Sequence, residues 1–297
     1  MEGTQHSAQK SALRSVAQVL PSGPEHWVGD GFRVHGMLSP SGPAHIQSPF
    51  LLLDHASRRK FDPSAHQRGV GEHPHRGFET VTFAYRGEIA HRDSSGGGGL
   101  IGAGDVQWMT AASGVVHEEL HSKRFAEEGG EMEMVQLWVN LPKAQKMTRP
   151  RYQALTDKDF PRLDLGAARA RLIAGQLGEY KGPAQTFTDL TLFDLTFSRT
   201  GDVSVELPEG FSSLVFNLEG RAQVGAEGQP MDTGALAFLE RKGSTVLLRG
   251  EENARLLLLS GAVIDEPVAA YGPFVMNTRE ELQQAVLDYQ SGKMGHL

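Results

Sequence analysis

The 297-residue chain contains no cysteine. That excludes disulfides, thiolate nucleophiles and cysteine-built zinc or iron–sulfur sites, so any metal must rest on histidine and carboxylate ligands. Long apolar runs are also missing. Stretches such as Leu256-Leu257-Leu258-Leu259 are strand-sized, far below the roughly 18–20 residues of a membrane span. Basic residues are in deficit, 29 against 36 acidic for a net charge of −7, which argues against direct nucleic-acid binding through a wide basic face. Residues 1–14 carry no apolar core of a secretory signal, and the expected location is cytoplasmic.

What is abundant is glycine, 35 residues against 7% aromatics, a balance that fits a turn-rich β protein better than a helical bundle. Short apolar runs closed by turn residues appear at Phe50–Leu53, Thr80–Tyr85, Val106–Met109 and Met134–Val139. They reappear at Thr191–Leu195, Ser213–Leu218, Ala235–Leu239 and Arg255–Leu259. Many short strands at such spacing predict barrels or sandwiches. One helix is expected near the end, where Asn277-Thr278 precede Arg279-Glu280-Glu281, with Leu282, Val286 and Tyr289 on one face. Length favours two domains.

The halves read as loose copies. Thr82–Gly87 aligns with Val215–Gly220, and Gly104–Met109 with Gly234–Leu239. The expected division is a flexible leader at 1–14, a first domain at 15–148 and a second at 149–297, joined by a proline-bearing basic linker. Gly96–Gly99 reads as a flexible loop. Lys143, Lys146, Arg149 and Arg151 form a candidate patch for a protein partner, with a solvated turn as the commoner explanation.

Eleven of the twelve histidines lie at or before position 121, so only the first copy can carry a histidine-built site. On an extended strand, residues i and i+2 share a face. His73 and His75 can therefore present adjacent imidazoles, and His117 and Glu119 can do the same some forty residues on. Two such pairs on neighbouring strands would bring three imidazoles and one carboxylate together, suiting Fe(II), Mn, Ni or Cu more than structural Zn. His91 reads as a loop or strand residue, and Gln107 and Gln136 as buried polar groups that need partners. Phe78, Phe83, Trp108 and Met109 are candidate pocket lining, with ordinary barrel core as the alternative.

The blocks His73–Thr80, Gly104–Ala111, Gly114–Glu119, Gln136–Pro142 and Gly272–Thr278 together resemble the pirins. The resemblance implies an all-β bicupin: two double-stranded β-helix (jelly-roll) barrels with a short C-terminal helix, and a metal in the first barrel only. Matched residue by residue, His73, His75, His117 and Glu119 are the implied metal ligands. The general cupin pattern would instead use Glu79, which stays the runner-up, and Ala112 stands where cupins usually place proline. The implied cofactor is one divalent transition metal, Fe(II) first, with Mn, Ni, Cu and Zn as further options. The implied activity is a dioxygenase opening quercetin-type flavonols with O2, with Glu119 as general base for the flavonol hydroxyl. The alternative is a metal-bearing regulatory protein without turnover, acting on a transcriptional or metabolic partner. A monomer is expected.

Overall fold

The computed structural model describes residues 12–297. Each apolar run read from the sequence lies on or at the end of a strand, and the strands build two barrels. In each, a seven-stranded antiparallel sheet faces a four-stranded one. The large sheet of the first barrel runs Arg151–Leu155, Val106–Thr110, Phe78–Arg86, Gly130–Asn140, Phe50–Phe61, Phe32–Leu38 and Glu25–Val28. Its small sheet runs Gly69–His75, Val115–His121, Ile89–Asp93 and Gly98–Ile101. In the second barrel the large sheet runs Val16–Leu20, Leu236–Leu239, Ser212–Glu219, Arg255–Gly261, Leu190–Phe197, Ala168–Ala174 and Arg162–Asp164. Gly201–Glu206, Thr245–Gly250, Ala222–Val224 and Gln229–Met231 make up its small sheet.

The large sheets are buried on both faces, which explains the unbroken leucine run. Leu256 and Leu258 face the interior of the second barrel, while Leu257 and Leu259 enter a joint core with Val81, Phe83, Trp108, Val135 and Leu137 of the first. A strand buried on both sides has no polar alternation to display. Phe83 and Trp108 therefore belong to the inter-barrel core rather than to a pocket. The copies share one register: Thr82 pairs with Gln107 as Val215 pairs with Ala237. Their turn glycines, Gly87, Gly220, Gly104 and Gly234, have φ of 82°, 84°, 95° and 81°, a region that favours glycine.

Strand membership does not follow the sequence boundary at 148/149. Val16–Leu20 pairs with Leu236–Leu239 in the second barrel, and Arg151–Leu155 pairs with Val106–Thr110 in the first. Of the expected leader, residues 1–11 lie outside the described residues. Arg14 is fully buried, its guanidinium donating to Gly243 O, Phe211 O and Ser213 Oγ at 2.9–3.0 Å. Arg14, expected in the leader, is therefore part of the second barrel.

The basic linker is divided: Lys143 and Arg149 are exposed, Arg151 is half-buried and Lys146 is buried. Lys146 is 1% exposed, and its Nζ donates to Gly77 O, Asn140 Oδ1 and Val275 O at 2.6–3.0 Å. Arg151 donates to Gln185 and lies over the Phe187 ring. Two of the four cations are thus committed internally. The helix forms at Arg279–Gln290 with a Thr278–Glu281 capping box. Its buried row is Leu282, Ala285 and Asp288, and Tyr289 is 40% exposed. The face turns that way because Asp288 meets buried Arg76 of the first barrel at 2.9 Å. No helix among the described residues is long and apolar enough to cross a membrane.

Candidate metal centre

Cross-strand neighbours in a sheet share a face, so register decides which side chains meet. In the small sheet of the first barrel, His117 stands opposite His73 on one side and Asp93 on the other. One step along, Glu119 stands opposite His91. Residues far apart in sequence thus form two adjacent polar rows on one face. A bulge against Gly69–His75 between His117 and Glu119 adjusts the spacing locally.

His73, His75 and His117 each place a ligand nitrogen within 4.8 Å of the others, and His91, His117 and Glu119 form a second trio by the same measure. His117 belongs to both. The rings of the first trio are close, with centroids 4.2–4.8 Å apart. Burial, reinforced by the neighbouring imidazoles, pushes the His75 and His117 pKa values well below the usual histidine value. That favours the neutral ring, the form that binds metal. Two of the rings are anchored through Nδ1: His73 lies 2.8 Å from Gly71 O, and His75 3.4 Å from Pro273 O. Such contacts to the far nitrogen orient metal-binding imidazoles and leave Nε2 free. His117 Nε2 is buried and has no hydrogen-bond partner among the described residues. An unpaired buried polar atom costs about 1–3 kcal/mol, and a bound cation would relieve that cost. The donor set therefore fits a divalent transition metal.

Glu119 is 4% exposed and is received by a polar row on the opposite sheet. Gln136, Thr82 and Gln107 are consecutive cross-strand partners. Gln107 Nε2 donates to Glu119 Oε1, and Gln136 Nε2 donates to Oε2 at 3.1 Å. The Thr82 hydroxyl, with one proton to give, lies 2.6 Å from Gln136 Oε1 and 3.1 Å from Glu119 Oε1. Tyr152 donates to Gln107 Oε1 at 3.3 Å, which turns the Gln107 amide so that its nitrogen faces the carboxylate. The strand carrying Tyr152 is the one the second half of the sequence lends to this barrel.

Glu79 is placed differently. It lies three residues from Thr82 on one strand and so faces away from the imidazoles. Its carboxylate accepts from Thr110 Oγ1 at 2.6 Å, and burial raises its pKa to about 7. It joins neither trio. Ala112 has φ of 42°, which the proline ring forbids. The usual cupin residue cannot stand there in this backbone.

Phe78 and Met109 remain near the site. Phe78 lies 5.0 Å from His75 and stacks on Trp138 at 4.2 Å, while Met109 packs with Ala111, Val115 and Tyr152. The sequence reading missed His91 as a member of the cluster. His91 is buried, 3.4 Å from His117 Nδ1 and 3.1 Å from Asp93 Oδ2. The available signal was its i, i+2 spacing from Asp93. The burial tendency of Asp93 to raise its pKa is outweighed by hydrogen bonds from His91, Ser95 and Gly97, which take it to about 2.

Matching Gly114 to Gly243 carries the register into the second barrel. The positions of His73, His91, His117 and Glu119 become Val205, Val224, Val246 and Leu248. Those of Thr82, Gln107 and Gln136 become Val215, Ala237 and Leu258. All seven lie in one buried apolar cluster. One architecture thus holds a polar centre in one copy and a hydrocarbon core in the other.

Known proteins share this organisation. The Pirin family model matches residues 31–139, and the Pirin C-terminal cupin domain matches residues 192–295. A Pseudomonas aeruginosa protein provisionally named quercetin 2,3-dioxygenase is 47% identical over 283 residues, covering 95% of this chain and 98% of that protein. Pirin of Rattus norvegicus is 33% identical over 273 residues, covering 90% of this chain and 89% of the relative. The crystal structure of a quercetin 2,3-dioxygenase from Acinetobacter baumannii superimposes with a TM-score of 0.92 at 46% identity, covering 96% of this chain and 99% of that one. With two matched barrels in the family's order and relatives aligned almost end to end, the chain belongs to the pirin family.

Proposed function

We propose that the chain is a metal-dependent dioxygenase that opens the ring of quercetin-type flavonols with O2. The observation that carries the metal reading is the trio of half-buried His73 with buried His75 and His117, together with the unpartnered Nε2 of His117. The names of the 47% identical relative and of the 46% identical solved structure support the substrate class. In this reading His73, His75, His117 and Glu119 hold Fe(II), which supplies a Lewis acid for the flavonol hydroxyl and a redox link to O2.

The chain's own residues do the rest. Glu119 accepts the flavonol hydroxyl proton at a carboxylate oxygen. Gln107 and Gln136 hold that carboxylate in place through its two oxygens. Phe78 and Trp138 give the His75 side of the centre an aromatic wall suited to a flat aromatic substrate.

The test is anaerobic purification and measurement of bound metal, then addition of Fe(II) and quercetin with the flavonol absorption band and O2 uptake followed together. Metal-dependent loss of the band with matching O2 uptake is expected. A metal-loaded protein that leaves quercetin intact would sink the proposed activity.

A further inference from the structure

We propose that Asp93 and His91 form a positioning pair that fixes the tautomer of His117, presenting its Nε2 lone pair to the metal. The inference rests on the reading of His117 as a ligand.

Its basis is an ordered chain of contacts. Asp93 Oδ1 accepts from Ser95 N at 2.8 Å, Ser95 Oγ at 2.6 Å and Gly97 N at 3.0 Å. With Oδ1 fully engaged, Oδ2 is left facing His91 Nε2 at 3.1 Å. An ionised carboxylate only accepts, so His91 carries its proton on Nε2. A neutral His91 then has a bare Nδ1, which faces His117 Nδ1 at 3.4 Å. His117 must in turn donate from Nδ1, and its bare nitrogen is the buried, unpartnered Nε2. Two imidazoles thus pass one hydrogen-bond polarity from a carboxylate to the metal position. The His91 ring is held for this by Tyr152, which stacks on it at 4.9 Å with 13° between the planes. Gly97 belongs to the same device: a Cβ there would lie 2.4 Å from Asp93 Oδ2.

The decisive substitution is Asp93→Asn. The N–H donors of Ser95 and Gly97 hold the amide oxygen on their side and turn the amide nitrogen towards His91. Polarity then reverses along the chain: His91 accepts at Nε2 and donates from Nδ1, His117 accepts at Nδ1, and His117 Nε2 carries hydrogen where the lone pair is needed. His91→Phe keeps the stacking on Tyr152 but removes both nitrogens, leaving the His117 tautomer unset.

The full chain with 15N-labelled histidine, stripped by chelator, is read by long-range 1H–15N spectra for tautomers and by calorimetric titration with Zn(II) for affinity. The expected wild-type pattern is a bare Nε2 on His117. Asp93→Asn is expected to reverse both tautomers and weaken Zn(II) binding by about ten- to hundredfold, with an unchanged circular dichroism spectrum. His91→Phe is expected to give mixed His117 tautomers and an intermediate loss. A wild-type His117 protonated on Nε2, an imidazolium at His91, or an affinity loss in Asp93→Asn without tautomer reversal each overturns the proposal. If the tautomers behave as stated but wild type does not bind Zn(II), the positioning pair stands and the metal reading fails.

Discussion

Glu79 and Glu119 are both buried and lie on strands of the same barrel, yet register separates their chemistry. Glu119 faces the imidazoles across from Gln107 and Gln136, whereas Glu79 is turned to Thr110 on the other face. Substituting His73, His75, His117 or Glu119 by Ala is therefore expected to strip the metal, and Glu79→Ala to retain it. Metal content of the purified variants decides this, and the reverse result for the two glutamates would move the fourth ligand to Glu79. Glu79 also makes a pH prediction. Its pKa is about 7 in the folded state against 4.5 as the ordinary value, so between those limits the folded chain holds a proton that the unfolded chain has lost. The stabilisation, about 3 kcal/mol, is fully present below pH about 4.5 and is lost as pH rises through about 7. In Glu79→Gln, stability from urea unfolding should fall less across that window; an unchanged slope would contradict the burial account.

At the scale of elements, the C-terminal segment acts as a brace on the loop behind His75. Arg76 pairs with Asp288 on the helix, and Val275 N donates to Arg76 O at 3.0 Å. Lys146 ties Gly77 O and Val275 O together from a third direction. Lys146→Met keeps a similar length of chain but leaves three buried oxygens without a donor. A loss of about 2–4 kcal/mol in denaturant unfolding is expected, and a loss within experimental error would show that water takes the role of the amine. The sequence foretold the helix and its cap, because capping is a local matter of Thr278 and Glu281. It did not foretell the buried face, which Arg76, some two hundred residues earlier, selects.

For the whole molecule, the exchanged strands and the joint core tie the two barrels together. Phe216 of the second barrel packs edge-on against His55 of the first at 5.1 Å, within the apolar contact between the large sheets. A single calorimetric transition with matching van 't Hoff enthalpy is expected. Phe216→Ala should lower its midpoint, at a cost of about 3–5 kcal/mol, without splitting it. Two resolved transitions would show that the barrels fold separately.

Strand positions, the turn glycines and the His-x-His and His-x-Glu pairs could be read from the residues themselves, since each depends on residues a few positions apart and on the two-residue period of a strand, whereas the bicupin architecture followed from the resemblance to the pirins. His91 and Asp93 could not be placed, and Gly96–Gly99 read only as a loop, because their roles depend on which strand lies beside Val115–His121. The borrowed strands Val16–Leu20 and Arg151–Leu155 were hidden for the same reason: a strand's sequence shows that it pairs, not with what. The sequence by itself determined the kind of ligand available, by lacking cysteine and crowding histidine into one copy. The tertiary structure decided which of those groups meet, because cross-strand register, invisible along the chain, sets every long-range neighbour.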